Sequence, residues 1–229
     1  TQVTKDEIKR LKAKTVYLLG GEGAISKTVE SQLKNEGLTV NRISGTSRTG
    51  TAVEIAKLVG GKEAILVNGY NFPDALSVAS YAGQKGMPIL LTQSTKFSPD
   101  TQAALGTLNI SNILVVGGTQ AVSPAVVNEL PKSKRISGST RYATAVEVAK
   151  HFNVGAKEYY VATGKEYPDA LSSAALAAKN KTGVLLVNNG VPWQVRDFLQ
   201  RNKVEEVTVI GGQAIVAPGV QRKLEEIVK

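Results

Sequence analysis

The sequence contains no cysteine, one histidine (His151), one methionine and one tryptophan among 229 residues. The absence of thiols rules out disulfides, cysteine-ligated zinc and thiol nucleophiles. A single imidazole cannot build a multi-histidine metal site. Aromatic residues make up 5% of the chain, too few for an evident stacking platform for sugars or single-stranded nucleic acid. Apolar runs are only a few residues long, far short of the ~20 needed to cross a bilayer, so membrane insertion is not expected. The polar start, Thr1-Gln2-Val3-Thr4-Lys5-Asp6-Glu7, lacks the apolar core of a signal peptide.

What is present is an ordinary globular composition, 42% apolar and 21% charged, with a formal net charge of +9. A basic chain attracts polyanions, and the placement of the charge says which kind. Basic residues outnumber acidic ones by seven to five in 1–41, eight to five in 42–134 and thirteen to nine in 135–229. There is no basic tail and no long run of like charge. This argues against a nucleic-acid-binding arm and suits a folded surface that is mildly positive throughout. Lys62, Lys85, Lys157 and Lys165 are candidates for that long-range attraction.

Self-comparison shows why the charge is so even. Arg42–Lys57 and Arg135–Lys150 are identical at 11 of 16 positions, including Arg48/Arg141 and the run Thr-Ala-Val-Glu. Pro73-Asp74-Ala75-Leu76-Ser77 returns as Pro168-Asp169-Ala170-Leu171-Ser172. A hydrophobic-Gly-Gly element occurs three times, as Leu19-Gly20-Gly21, Val116-Gly117-Gly118 and Ile210-Gly211-Gly212. The repeats divide the chain into 1–41, carrying the last strand and helix of a preceding unit, and two full units, 42–134 and 135–229. A cut near Ser98 and Pro192 would put the partial copy at the back instead.

Within each unit short Val/Ile/Leu runs read as strands buried on both faces: Val16–Leu19, Ala64–Val67, Pro88–Leu91, Ile113–Val116, Tyr159–Ala162, Gly183–Val187 and Val207–Ile210. Ser98-Pro99 and Ser123-Pro124 are helix starts, an N-cap serine followed by proline. The helices opened by Asp74 and Asp169 are small and apolar all round, as in a helix packed on most sides. Alternation of strand and helix gives an α/β fold of tandem units, with parallel sheets flanked by helices.

The repeated polar residues offer two kinds of chemistry. The Gly-Gly turns sit where phosphate-cradling loops would, but they lack G-x-G-x-x-G spacing and a Walker lysine, so no nucleotide or other cofactor is expected. Asp74 and Asp169 have the look of catalytic carboxylates, yet no His or Cys accompanies them. A negative charge in a first helical turn is also stabilised by the helix dipole. Arg42, Arg48, Arg135 and Arg141 can grip acidic polymer or make bidentate structural pairs. Because both motifs occur in each unit, the pairs Arg48–Asp74 and Arg141–Asp169 are expected. His151 reads as a surface residue at a helix end and Trp193 as packing for the helix that follows.

These residues give the chain its resemblance to the cell-wall-binding repeats of type 2 in surface proteins of Gram-positive bacteria. The shared pattern is Arg-hydrophobic-Ser-Gly-x-x-Arg-Tyr-x-Thr-Ala, then Gly-x-x-Phe/Tyr-Pro-Asp-Ala-Leu, Pro-hydrophobic-Leu-Leu and hydrophobic-Gly-Gly. The first unit departs from it at Thr49, where tyrosine is usual, and the second at Gly183, where proline is. The resemblance implies Rossmann-like units and a non-catalytic, secreted anchor on the cell surface, bound to anionic wall polymer, teichoic-acid-like or a phosphate-rich polysaccharide. It also implies that Ile89-Leu90-Leu91 and Val184-Leu185-Leu186 serve polymer attachment, although the same residues read as core strands. Other surface proteins are a second partner class, as in a surface-layer assembly element. An enzyme on an α/β scaffold is the third reading.

Overall fold

The computed structural model describes residues 1–152 and 155–228. The chain opens with α1 (Gln2–Arg10), β1 (Thr15–Leu19), α2 (Lys27–Asn35) and β2 (Thr39–Ile43), and the two strands pair in parallel. The middle unit holds α3 (Arg48–Val59), β3 (Glu63–Asn68), α4 (Pro73–Lys85), β4 (Ile89–Thr92), α5 (Pro99–Thr107), β5 (Asn112–Val116), α6 (Pro124–Val127) and β6 (Lys132–Ile136). Its sheet runs β4-β3-β5-β6. The last unit holds α7 (Arg141–Phe152), β7 (Glu158–Thr163), α8 (Pro168–Lys179), β8 (Val184–Val187), α9 (Trp193–Arg201), β9 (Glu206–Ile210) and α10 (Pro218–Val228), with sheet order β8-β7-β9. Every strand pairing is parallel, so this is an α/β fold of tandem units. Among the described residues no helix is long and apolar enough to cross a membrane.

The strand sequences decide which faces are covered. β3, β5, β7 and β8 are apolar almost throughout and buried on both faces. On one side of β3–β5, Leu66, Leu90, Val115, Ala104 and Val126 form a core under α3, α5 and α6. On the other side Ile65, Val67 and Val116 meet Val78 and Tyr81 of α4. In the last unit, Val161 and Leu185 pack on one face with Val195 and Leu224, while Ala162 and Leu186 pack on the other with Ala170 and Ala177 of α8.

Two strands did not register in the hydrophobic pattern. β2 (TVNRI) and β6 (KSKRI) are polar edge strands with few or no fully buried positions. They carry Arg42-Ile43 and Arg135-Ile136, so each sheet closes just after these residues, a few positions beyond the divisions at 42 and 135. β1 also differs from expectation. Having one strand neighbour, it leaves Tyr17 61% and Leu19 53% exposed.

Helix starts follow local chemistry. Ser26, Ser47 and Ser123 accept a backbone N–H in the first turn of α2, α3 and α6. Pro73, Pro99 and Pro168 open α4, α5 and α8, where their missing N–H costs nothing.

The two full units share one core. α4 lies against both α7 and α8. Tyr81 stacks flat on Phe152, with ring centroids 4.9 Å apart and planes 5° apart, an arrangement worth about 0.5–1.5 kcal/mol beyond area burial. A side chain on Gly183 would collide with the Tyr81 phenol, and Cβ on Gly83 would stand 3.2 Å from Ala178. α8 presents a contrasting outer face. Leu171 and Leu176 are 55% and 45% exposed, while their counterparts Leu76 and Tyr81 in α4 are buried at the junction. Gly183→Ala is therefore expected to cost about 1–3 kcal/mol by overpacking, whereas Gly212→Ala, with open space around it, should leave the melting temperature within about a degree. Thermal unfolding of both variants checks this.

Candidate functional site

The repeated Arg-Ile-Ser-Gly-x-x-Arg segment is a set of backbone latches. Arg42 Nη1 donates to the Gly20 carbonyl at 2.7 Å, and Arg135 makes the same bond to the Gly117 carbonyl and a second, at 2.7 Å, to Val122. Gly45 and Gly138 lie so close to the first turn of α3 and α7 that a Cβ would strike its backbone. Their N–H groups donate to Thr51 Oγ1 and Thr144 Oγ1, at 3.1 and 3.0 Å. Arg48 donates to the Gly69 carbonyl at 2.8 Å, and Arg141 to the Gly164 carbonyl at 2.6 Å. Arg48 also lies 4.5 Å above the Tyr70 ring centroid. Where the first unit has Thr49 in place of tyrosine, Thr49 and Ser47 both donate to Asp100, and those bonds hold its carboxyl below the usual range.

The expected ion pairs Arg48–Asp74 and Arg141–Asp169 do not form. Among the described residues neither arginine has a carboxylate within 4.0 Å. The reason is topological. The strand before each arginine, β2 or β6, belongs to the sheet of the preceding unit, so Arg141 follows β6 to the carboxyl edge of the β3–β5 sheet. It thus faces Asp74 of the middle unit, whose proton affinity its charge reduces.

Asp74 itself is turned onto a glycine. Gly117 has φ +116°, and a Cβ there would lie 2.5 Å from Asp74 Oδ2; Gly211, at φ +122°, stands in the same relation to Asp169 Oδ2 at 2.7 Å. The first glycine of each pair thus serves a left-handed turn and a close approach together. Asp74 is 7% exposed, and among the described residues its carboxylate accepts no hydrogen bond. Burial pushes its pKa up to about 6, with Arg141 pulling the other way.

Beside Asp74 opens a crevice of about 500 Å³, lined by Asn68, Tyr70, Gln120, Thr140 and Arg141 among others. It lies at the carboxyl ends of β3 and β5, where the chain turns to opposite sides, the usual ligand position in open α/β sheets. Asn68 braces its floor, donating to Ser94 Oγ and the Ala121 carbonyl and accepting from the Tyr70 N–H. Among the described residues no group of His, Asp or Glu is arranged to hold a metal.

The other sequence-derived candidates are scattered. Ile89, Leu90 and Leu91 form β4, with Leu90 fully buried and its neighbours packed against the shared core. Val184, Leu185 and Leu186 lie in β8, all buried. Lys85 is exposed at the end of α4, lining a second cavity with Lys132, Lys134 and His151 at the opposite edge of the sheet. Lys165 follows β7 and donates to Asn189 Oδ1 at 2.7 Å. His151 sits in the last turn of α7, where burial and then Lys134 lower its pKa. Trp193 opens α9 but stands 71% exposed, so it does not pack that helix as expected.

Fold and latches together define a tandem α/β repeat module. The Cell wall binding domain 2 (CWB2) family matches residues 42–127 and 135–221, and the chain belongs to it. N-acetylmuramoyl-L-alanine amidase LytC of Bacillus subtilis is 34% identical over 97% of this chain and 45% of its own length. The amidase enhancer of the same organism is 32% identical over 99% of this chain and 32% of its own. Among solved structures, Cwp8 from Clostridium difficile superposes with a TM-score of 0.82 at 29% identity, covering 96% of this chain and 39% of that one. Cwp6 from the same organism gives 0.73 at 27%, covering 81% and 31%. The chain thus spans less than half the length of these curated relatives. It is a cell-wall-binding module, and the matched region is non-catalytic.

The raised Asp74 pKa carries a stability consequence. The native state holds this proton more tightly than the unfolded chain, so stability contributed below about pH 4 is lost as pH rises through about 6. Asp74→Asn should therefore be more stable than the parent at pH 7.5, by up to roughly 3 kcal/mol, with the gap closing by pH 4. Melting curves at the two pH values decide it; a variant less stable at pH 7.5 would contradict the unpartnered carboxylate.

Proposed function

We propose that this module holds a larger, secreted surface protein to the anionic polymers of a Gram-positive cell wall. The observation that carries the reading is the positive excess present in every unit of a repeated wall-binding scaffold. A polyanion spanning several units meets a favourable potential along its whole length, and attraction accumulates without one deep site. Lys165 at the carboxyl edge and Lys85 at the opposite edge contribute charge from both sides. The buried strands Ile89-Leu90-Leu91 and Val184-Leu185-Leu186 act by holding the loops that reach the polymer.

A second reading, assembly with another protein surface, is favoured by the exposed Leu171 and Leu176 on α8. Salt separates the two. The Debye length is about 10 Å at 0.1 M and about 3 Å at 1 M. The module should sediment with purified walls at low salt, be released above about 0.5 M, and fail to bind walls stripped of anionic polymer by mild acid. Salt-insensitive binding, or undiminished binding to stripped walls, would contradict polymer attachment by charge.

A further inference from the structure

The feature that wall binding by diffuse charge leaves unexplained is Asp74. A carboxylate on a residue only 7% exposed, with no hydrogen bond or ion pair among the described residues, is a cost to the fold. Asn in its place could keep the contact with Gly117 without the charge. The carboxylate lines the crevice rather than the core, so it is open to water and to the hydroxyl groups of a ligand.

The remaining walls say what that ligand is. Pro73 and Ala121 bring apolar surface, and the polar partners include Asn68, Gln120, Thr140, Asp74 and Arg141. Such a surface offers hydroxyl and amide partners on several sides, and Tyr70, 59% exposed, adds a flat ring at the rim. Asp74 accepts, so it calls for hydroxyl donors. Arg141 still has N–H groups beyond the one used on Gly164 and stands at the first turn of the twelve-residue α7, a favourable place for an anion. The volume, about 500 Å³, lies within the range of small-ligand sites.

We infer that the crevice between β3 and β5, closed by the start of α7, is a subsite for one or two sugar residues bearing an acidic group, with Asp74 accepting sugar hydroxyls and Arg141 holding the acid. This rests on the wall-polymer reading and sharpens it, since the site exists only where two units meet. Neither unit has it alone: Asp74 belongs to one and Arg141 to the next. The equivalent position beside Asp169 has no arginine facing it among the described residues, and Asp169 is correspondingly less buried.

The test is an amide NMR titration of the whole chain with D-glucuronic acid, glucose 6-phosphate and glucose, alongside wall sedimentation. The two acidic sugars carry the carboxylate and the phosphate alternatives. At least one of them should shift the amides of Gly118–Ala121 and Thr140–Tyr142, with glucose at least tenfold weaker. Asp74→Asn, expected to fold, should weaken that binding at least tenfold, and Gln120→Ala, at an exposed position, should weaken it several-fold. Shifts confined to the Lys132–Lys134 region, no saturable shift, or an unaffected Asp74→Asn variant would overturn the subsite. If walls still sediment in a salt-dependent way in that case, the wall-polymer reading stands and only the subsite falls; loss of wall binding by the parent protein removes both.

Discussion

The structure depends on the absence of a side chain at two positions, Gly117 and Gly211. Gly117 follows the central strand β5 and Gly211 the edge strand β9, both in a left-handed conformation, and each receives the carboxylate of an aspartate from the first turn of the apolar helix, Asp74 or Asp169. No L-residue satisfies both demands, because a Cβ would occupy the space of the carboxylate and the positive φ would strain it. At Gly117 the peptide is held from the other side too, its carbonyl gripped by Arg135 of the following strand. One glycine thereby fixes the end of β5, the start of α4 and the strand that leads into the next unit.

From this point the assembly of units follows. Because β6 completes the sheet of the middle unit and then delivers α7 to the next, α7 starts beside Asp74 and ends beside Tyr81. The same helix α4 therefore contributes a crevice wall at its first turn and the stacking partner of Phe152 further along. Core and crevice are two ends of one contact between units. The burial of Asp74 belongs to that arrangement: the helix must lie close to fill the junction, and its first turn carries the carboxylate in with it.

Much of this was legible in the sequence. The recurrence of Arg42–Lys57 as Arg135–Lys150 gave the unit length, and the Val/Ile/Leu runs of β3, β5, β7 and β8 gave parallel buried strands. The all-round apolar character of α4 was a true sign of dense packing, here against the neighbouring unit. β2 and β6 were hidden because edge strands need cover on fewer sides and so tolerate Asn, Lys and Ser. That omission caused the arginine error. With β6 unseen, Arg141 was paired with the aspartate of its own unit, whereas the strand before it lies in the other sheet. The Asp–Gly contact had a signal that could have been used, since Asp74 to Gly117 and Asp169 to Gly211 repeat at nearly the same spacing. Nothing in a linear pattern, however, distinguishes Leu76, buried by a neighbour, from Leu171, which is exposed.

The central claim is that the two full units are one cooperative body joined through α4, with the crevice at their seam. Native-state hydrogen exchange measures this directly, because it reports the opening free energy of each strand separately. The account predicts that the slowest amides of β5 and of β7 exchange through a single common opening, and that Gly183→Ala lowers protection in both sheets equally. Full protection of β7–β9 in molecules whose β3–β5 sheet has already exchanged would contradict it.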